Sequence, residues 1–277
     1  MGTKIKLFIY TAILYGATLY FGIASALRHI ISPVGKTLIQ PFSLGLTDAI
    51  IFIAVFALFT TVMVRFAHLA HRLLGVFLGI IMLAGAQYFA SAWMPTASSW
   101  MFAIALFGLM LGIRRIIFHD LAIMFGIAGI GAALGASITP LMATVFLALL
   151  AIYDIISVYR TRHMMVLAER MINSGFIFGF LVPPTLRGFF MDRDHALDNR
   201  SVMILGSGDV GLPLILATSV VGQSTSTAFI VAGSALIGLL LMHLLFLHQG
   251  KPSPMAALPP ITAFAIGGYL VAILLGL

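Results

Sequence analysis

Hydrophobic residues in this chain come in long unbroken runs, not in the alternation of a half-buried strand or the single stripe of a soluble helix. A bilayer core takes about 20 mostly apolar residues per helix, with about 17 to 25 as the working range. Nine runs meet or approach that length. They are Ile5 to Leu27, Leu46 to Val64, Leu73 to Met94, Ser98 to Ile113, Ile116 to Ala136, Pro140 to Tyr159, Val202 to Val221, Ala228 to Leu247 and Met255 to Leu277, the fourth being the shortest. The pattern predicts an all-α integral membrane protein with nine transmembrane helices in one polytopic domain over 1–277. Helices one to five fill 1–136, and helices six to nine fill 140–277 around a polar connection at 160–201.

Composition agrees with this reading. Only 8% of the 277 residues are charged and 61% are apolar, against about 25% charged in a soluble domain, so the lipid bilayer is the solvent this surface fits. The formal charge of +7 would suggest nucleic acid in a soluble protein, but these cations lie between apolar runs and fix orientation instead; no nucleic-acid partner is expected. There is no cysteine, hence no disulfide, thiolate nucleophile or Cys-ligated metal. His68 and His71 share a helical face beside Arg65 and Arg72, without the acid or cysteine that a zinc site would add. Trp93 and Trp100 flank a short turn, as residues of an aromatic belt do.

The cations test the span count, because an error of one helix would move every later loop across the membrane. Lys4, Lys6, Arg65, Arg72, Arg114, Arg115, Arg160, Arg162, Arg170, Arg187, Arg193, Arg200 and Lys251 fall on one side, and only Arg28 and Lys36 on the other. The positive-inside rule then predicts a multi-pass protein of the cell membrane with a cytoplasmic N-terminus and an external C-terminus. The first run carries Lys4, Lys6 and an Ala24-Ser25-Ala26 segment in the manner of a signal peptide. It exceeds the usual signal h-region of about 7 to 15 residues and is expected to stay as a helix. In the connection after the sixth span, Phe176 to Val182 is apolar but too short to cross, and Pro183-Pro184 follows. A small interfacial or re-entrant element fits this stretch, and so does a plain tether.

Of eight acids, Glu169, Asp192, Asp194 and Asp198 occupy that connection, while Asp48 and Asp120 lie near span ends, where water is expected to reach them. Asp154 and Asp209 remain. Asp154 precedes Arg160 by six residues and Asp209 follows Arg200 by nine, which puts them roughly 9 Å and roughly 10 to 14 Å inside the same membrane face. On consecutive antiparallel helices the two carboxyls can meet. Two carboxylates about 4 Å apart repel by about 4 kcal/mol at an effective dielectric near 20, so the pair tends to share one proton. The ionised member can then draw a proton from water while the protonated one polarises a carbonyl. No metal, cofactor or covalent intermediate is required.

The neighbourhood of Asp209 suits such chemistry. Gly206, Ser207 and Gly208 precede it, and the two glycines leave room for an extended substrate backbone. Pro213, four residues on, cannot donate to the Asp209 carbonyl, so the helix is expected to loosen there. Gly126, Gly131 and Gly135 are read as close-packing positions of a membrane helix.

Tyr153-Asp154 in the sixth span, Gly206-Ser207-Gly208-Asp209 in the seventh and Ala257-Leu258-Pro259 opening the ninth together resemble the presenilin and signal-peptide-peptidase family of GxGD intramembrane aspartyl proteases. The resemblance covers essentially the whole chain and is nearest to a microbial, archaeal presenilin homologue. It implies an endopeptidase that hydrolyses peptide bonds within transmembrane segments of other proteins by direct water attack. Asp154 and Asp209 would be the catalytic pair, with Tyr153, Gly206, Ser207 and Gly208 beside them. Ala257, Leu258 and Pro259 would match the end of the family's PALP segment, which helps admit substrate. Ala256 stands at that segment's first proline, and Pro254, Pro259 and Pro260 are expected to prevent a regular helix from starting there. The charge bias matches the presenilin orientation, and a compact homologue implies no obligatory partner subunit. Substrate is expected to unwind and add as a strand beside a sheet edge, with Phe176 to Val182 and the Leu258-Pro259 region taking part in docking.

Two other readings of the acids stand beside this one. A cation- or proton-coupled transporter would use them at mid-membrane, but leaves the three motifs as coincidence. A prepilin-peptidase-like GxGD protease would use one of the motifs, but lacks the nine spans and the Ala-Leu-Pro segment.

Overall fold

The computed structural model describes residues 2–31, 67–161, 177–199, 202–248 and 256–277, with isolated positions at 51, 54 and 58. The second predicted span, Leu46 to Val64, and Asp48 with it, lie outside the described residues. The chain forms α1 (Gly2–Ile31), α2 (Ala67–Ser91), α3 (Thr96–Gly112), α4 (Ile116–Ser137) and α5 (Pro140–Ile155), the last running into a π-helical turn, Ile156–Thr161. Then come β1 (Gly179–Val182), a 3-10 turn (Leu186–Phe190), α6 (Arg193–Asp198), β2 (Met203–Gly206), α7 (Ser207–Ser219), α8 (Thr225–His248) and α9 (Leu258–Leu274). Eight of the nine predicted spans thus coincide with described helical segments. Among the described residues, four stretches are both long and apolar enough to cross a bilayer alone: Ile5–Ile31, Ile116–Ser137, Pro140–Arg160 and Thr225–Phe246.

Local chemistry sets the breaks. The Thr139 side chain accepts from the Met142 N–H at 3.4 Å and Pro140 opens the first turn of α5, where its missing N–H costs nothing. Between α2 and α3, Trp93 closes a turn capped by the Arg28 guanidinium, 5.2 Å above the indole ring. This cation–π contact ties the end of α1 to that turn and gives Arg28 a partner near the interface.

Two predictions need correction. The seventh run is not helical throughout, because its first residues form β2 and the helix begins only at Ser207. Pro259 and Pro260 do not prevent a helix either. They occupy the first turn of α9, the position that tolerates proline, because N–H groups there have no intrahelical acceptor.

The helix α4 is the hub, packing against α1, α2, α3, α7 and β1. Its small residues allow this. A Cβ on Gly126 would sit 2.8 Å from the Met82 sulfur, one on Gly131 2.5 Å from Leu214, and one on Gly135 2.6 Å from the Ile215 carbonyl oxygen, as the close-packing reading of these glycines requires. The core they share joins Tyr15, Leu19 and Ile23 of α1 to Ile123 and Ile127 of α4 and Leu214 of α7. Large apolar side chains such as Ile13, Met101 and Leu141 point outward, as a lipid-facing surface demands.

Gly135→Ala is expected to destabilise the protein by about 1–3 kcal/mol, because the backbone carbonyl in its way cannot rotate aside. Gly108 meets nothing within 4 Å of an added Cβ, so Gly108→Ala is expected to leave the melting temperature in detergent unchanged while Gly135→Ala lowers it.

Candidate active site

The connection at 160–201 is no plain tether. Within its described part, β1 pairs antiparallel with β2 in the register Gly179↔Gly206, Phe180↔Leu205, Leu181↔Ile204 and Val182↔Met203, and the Ser207 N–H donates to the Phe178 carbonyl at 3.2 Å. All four β1 residues are buried. The apolar run read as a re-entrant element is therefore one strand of a hairpin whose other strand leads directly into α7.

Asp209 sits in the first turn of α7, where the positive end of the helix dipole favours an anion. Asp154 lies in the last turn of α5, buried, just before the π-helical turn. Such wide turns concentrate at functional sites. The two carboxyls lie within electrostatic reach of each other. The Asp154 Oδ2 accepts the Leu258 N–H at 3.3 Å, a donor left free because Leu258 opens α9. Packing of α9 against α5 and α7 brings Tyr153, Gly206, Ser207, Gly208, Ala257, Leu258 and Pro259 into the same region as the two acids. The sequence motifs thus converge on one place.

The two glycines of the Gly-Ser-Gly-Asp run differ. A Cβ on Gly206 would stand 3.1 Å from the Asp209 Oδ2, whereas one on Gly208 would meet nothing within 4 Å. Gly206 makes room for the carboxylate itself, and Gly208 faces open space. The helix also runs on through Pro213 instead of loosening. The Asp209 carbonyl freed by Pro213 accepts from another donor: the Tyr15 hydroxyl, fully buried on α1, donates to it at 3.4 Å. Tyr15 carries no motif, and the only trace of it in the sequence is the vacancy that Pro213 creates.

Asp120 does not have the water expected near a span end. It is fully buried, and its Oδ1 accepts the Leu181 N–H of β1 at 2.9 Å. Its neighbour His119, also buried, donates from Nε2 to the Gly179 carbonyl at 3.0 Å. No group of three or more His, Cys, Asp or Glu side chains among the described residues could hold a metal ion.

Tyr15→Phe is expected to leave the Asp209 carbonyl buried without a donor and to lower stability by about 1–3 kcal/mol. Thermal unfolding in detergent, compared with Tyr10→Phe as a control, measures this.

A model of the family described as signal-peptide peptidase, presenilin aspartyl protease matches residues 43–276. The fold is similar to two solved structures of a presenilin family intramembrane aspartate protease. The one in space group C222 shares 24% identity over 97% of this chain and 99% of that chain, with a TM-score of 0.67. The one in space group P2 shares 24% identity over 94% and 96%, with a TM-score of 0.58. No curated protein matches the chain. A family match spanning most of the sequence, on a helical membrane fold that brings two acids together beside a hairpin, makes this chain a member of the signal-peptide peptidase and presenilin family, an intramembrane aspartic endopeptidase.

Proposed function

We propose that Asp154 and Asp209 are the catalytic dyad of this protease and that substrate is cut as an extended strand paired to the free edge of β2. The observation that carries the proposal is the meeting of three elements: Asp154 on α5, Asp209 on α7 and the Leu258 N–H of α9, which binds the Asp154 carboxylate. In the resting dyad one carboxyl holds a proton and the other is ionised. The ionised carboxylate removes a proton from a water as the water attacks the scissile carbonyl carbon. The protonated partner donates a hydrogen bond to the carbonyl oxygen as negative charge develops there. Collapse of the tetrahedral intermediate sends a proton to the departing amine, and the two carboxyls return to their starting state.

Hairpin geometry supports the strand mode. Peptide groups of an antiparallel strand point alternately toward its partner and away from it. On β1, those of Gly179 and Leu181 turn away from β2, and the Gly179 carbonyl and the Leu181 N–H are already bonded to His119 and Asp120. On β2, the Ile204 groups face the opposite edge, where no described residue bonds to them. A substrate strand adding at Ile204 would run beside Gly206, Gly208 and Asp209. In this arrangement the Phe176 to Val182 run serves docking by backing β2, and Leu258 serves by holding Asp154. Tyr153, Ser207, Ala257 and Pro259 flank the strand.

The rest of the reading follows the chain's charge. The one-sided cations support a cytoplasmic N-terminus and a cytoplasmic 160–201 connection in a cell-membrane protein. The segments 1–136 and 140–277 act as scaffold and catalytic halves of one domain, with no obligatory subunit, metal or cofactor. The substrates are single transmembrane segments of other proteins.

Asp154→Asn and Asp209→Asn are each expected to abolish cleavage of a single-span substrate in lipid, by at least about 10³-fold, since neither amide can exchange the proton. Wild-type rate in either variant would contradict the assignment. Gly206→Ala is expected to lower kcat by shifting Asp209, whereas Gly208→Ala is expected to raise KM at unchanged melting temperature, which steady-state kinetics separate.

A further inference from the structure

The rear edge of the hairpin is held by two adjacent side chains that no motif includes. His119 and Asp120 stand on the first turns of α4, 2% and 0% exposed. One donates to the Gly179 carbonyl and the other accepts from the Leu181 N–H, one outward-facing group from each of two β1 residues. A carbonyl can only accept, so the His119 Nε2 carries the proton. Together they occupy β1's outer edge as a third strand would, but from a helix.

This arrangement is costly as a stabilising device. The second polar atom of each side chain, the His119 Nδ1 and the Asp120 Oδ2, is buried without a hydrogen-bond partner among the described residues. Buried unsatisfied groups destabilise, although apolar side chains at the two positions would instead leave the Gly179 carbonyl and the Leu181 N–H of buried β1 without these partners. What the pair supplies that apolar groups cannot is directional attachment. Two bonds of opposite sense, two residues apart on β1, fit one register only, because a one-residue slip would present the wrong peptide groups to both side chains. The surroundings reinforce the clamp. Leu181 packs with Ile116, Phe189, Ala196 and Leu197, and the Ile116 and Arg193 N–H groups donate to the Met191 and Arg114 carbonyls.

We propose that His119 and Asp120 are positioning residues for peptide-bond cleavage. By fixing β1 in register they hold β2, and through its continuous chain Asp209, where the scissile bond must lie; by closing the rear edge they leave β2 as the edge open to a substrate strand. The proposal rests on the assignment of Asp209 as a catalytic residue. Displacing a catalytic group by about 1 Å from a distance lowers turnover by up to about 100-fold, and a loosened hairpin would offer more than one substrate register.

The full chain, reconstituted in lipid with a single-span substrate, provides the test. Turnover is normalised to sites titrated with a peptide transition-state isostere, and cut positions are mapped by mass spectrometry for Asp120→Leu, Asp120→Asn, His119→Leu and His119→Gln. Both Leu variants are expected to lose about 10-fold to 100-fold in kcat per titrated site and to spread cleavage over neighbouring bonds. Asn keeps an acceptor oxygen and Gln keeps a donor, so these variants should recover most of the rate and the single cut position. A merely structural role would reduce the number of titrated sites while leaving kcat per site and cut position unchanged. That result, or Asn and Gln variants no better than Leu, overturns the proposal. If one Leu variant does not fold, the other and its conservative partner carry the comparison. Asp209→Asn in the same assay separates the two levels: full activity there removes the dyad, whatever His119 and Asp120 do.

Discussion

Inside a membrane every peptide group needs a partner within the protein, because lipid offers neither donors nor acceptors. A protease at that depth must nevertheless keep irregular backbone, since a substrate strand cannot pair with a helix. The structure meets the two demands together by giving four freed backbone groups a buried polar side chain each. The Leu258 N–H goes to Asp154, the Asp209 carbonyl to Tyr15, the Leu181 N–H to Asp120 and the Gly179 carbonyl to His119. These four departures from regular helix or paired sheet around Asp154 and Asp209 are thus tied to other elements of the bundle.

This gives α4 a role beyond packing. Its middle and C-terminal glycines let α2 and α7 approach closely, which sets where the Asp209 helix stands. Its first turns hold the strand that leads, through the hairpin, into that same helix. Asp209 is therefore held from both sides by one helix, which would preorganise it for the catalytic role proposed above. The edge of β2 at Ile204, to which no described residue bonds, is where the proposed substrate strand would add.

Much of this could be read from residues alone. Unbroken apolar runs located eight described helical segments, and arithmetic on depth paired Asp154 with Asp209. The hairpin was half visible: Phe176 to Val182 was too short to cross, but β2 is four apolar residues continuous with a helical run, and periodicity cannot separate the two. Asp120 was misread because its distance from the span end suggested water, whereas the 3-10 turn, α6 and β1 cover that end of α4. Pro213 showed which carbonyl would lack its helical donor but not that Tyr15, 194 residues away, would replace it. Pro259 and Pro260 read as helix breakers in the sequence, yet the first turn of a helix is where proline costs least. Apart from the prolines, these features depend on contacts between residues distant in the chain.

The most direct measurement is an experimental structure of the protein with a peptide transition-state isostere bound. The account predicts the isostere hydroxyl between the Asp154 and Asp209 carboxyls, the inhibitor backbone paired with β2 at Ile204, and His119 and Asp120 still bonded to β1. An isostere seated away from both acids, or paired along the outer edge of β1, would contradict it.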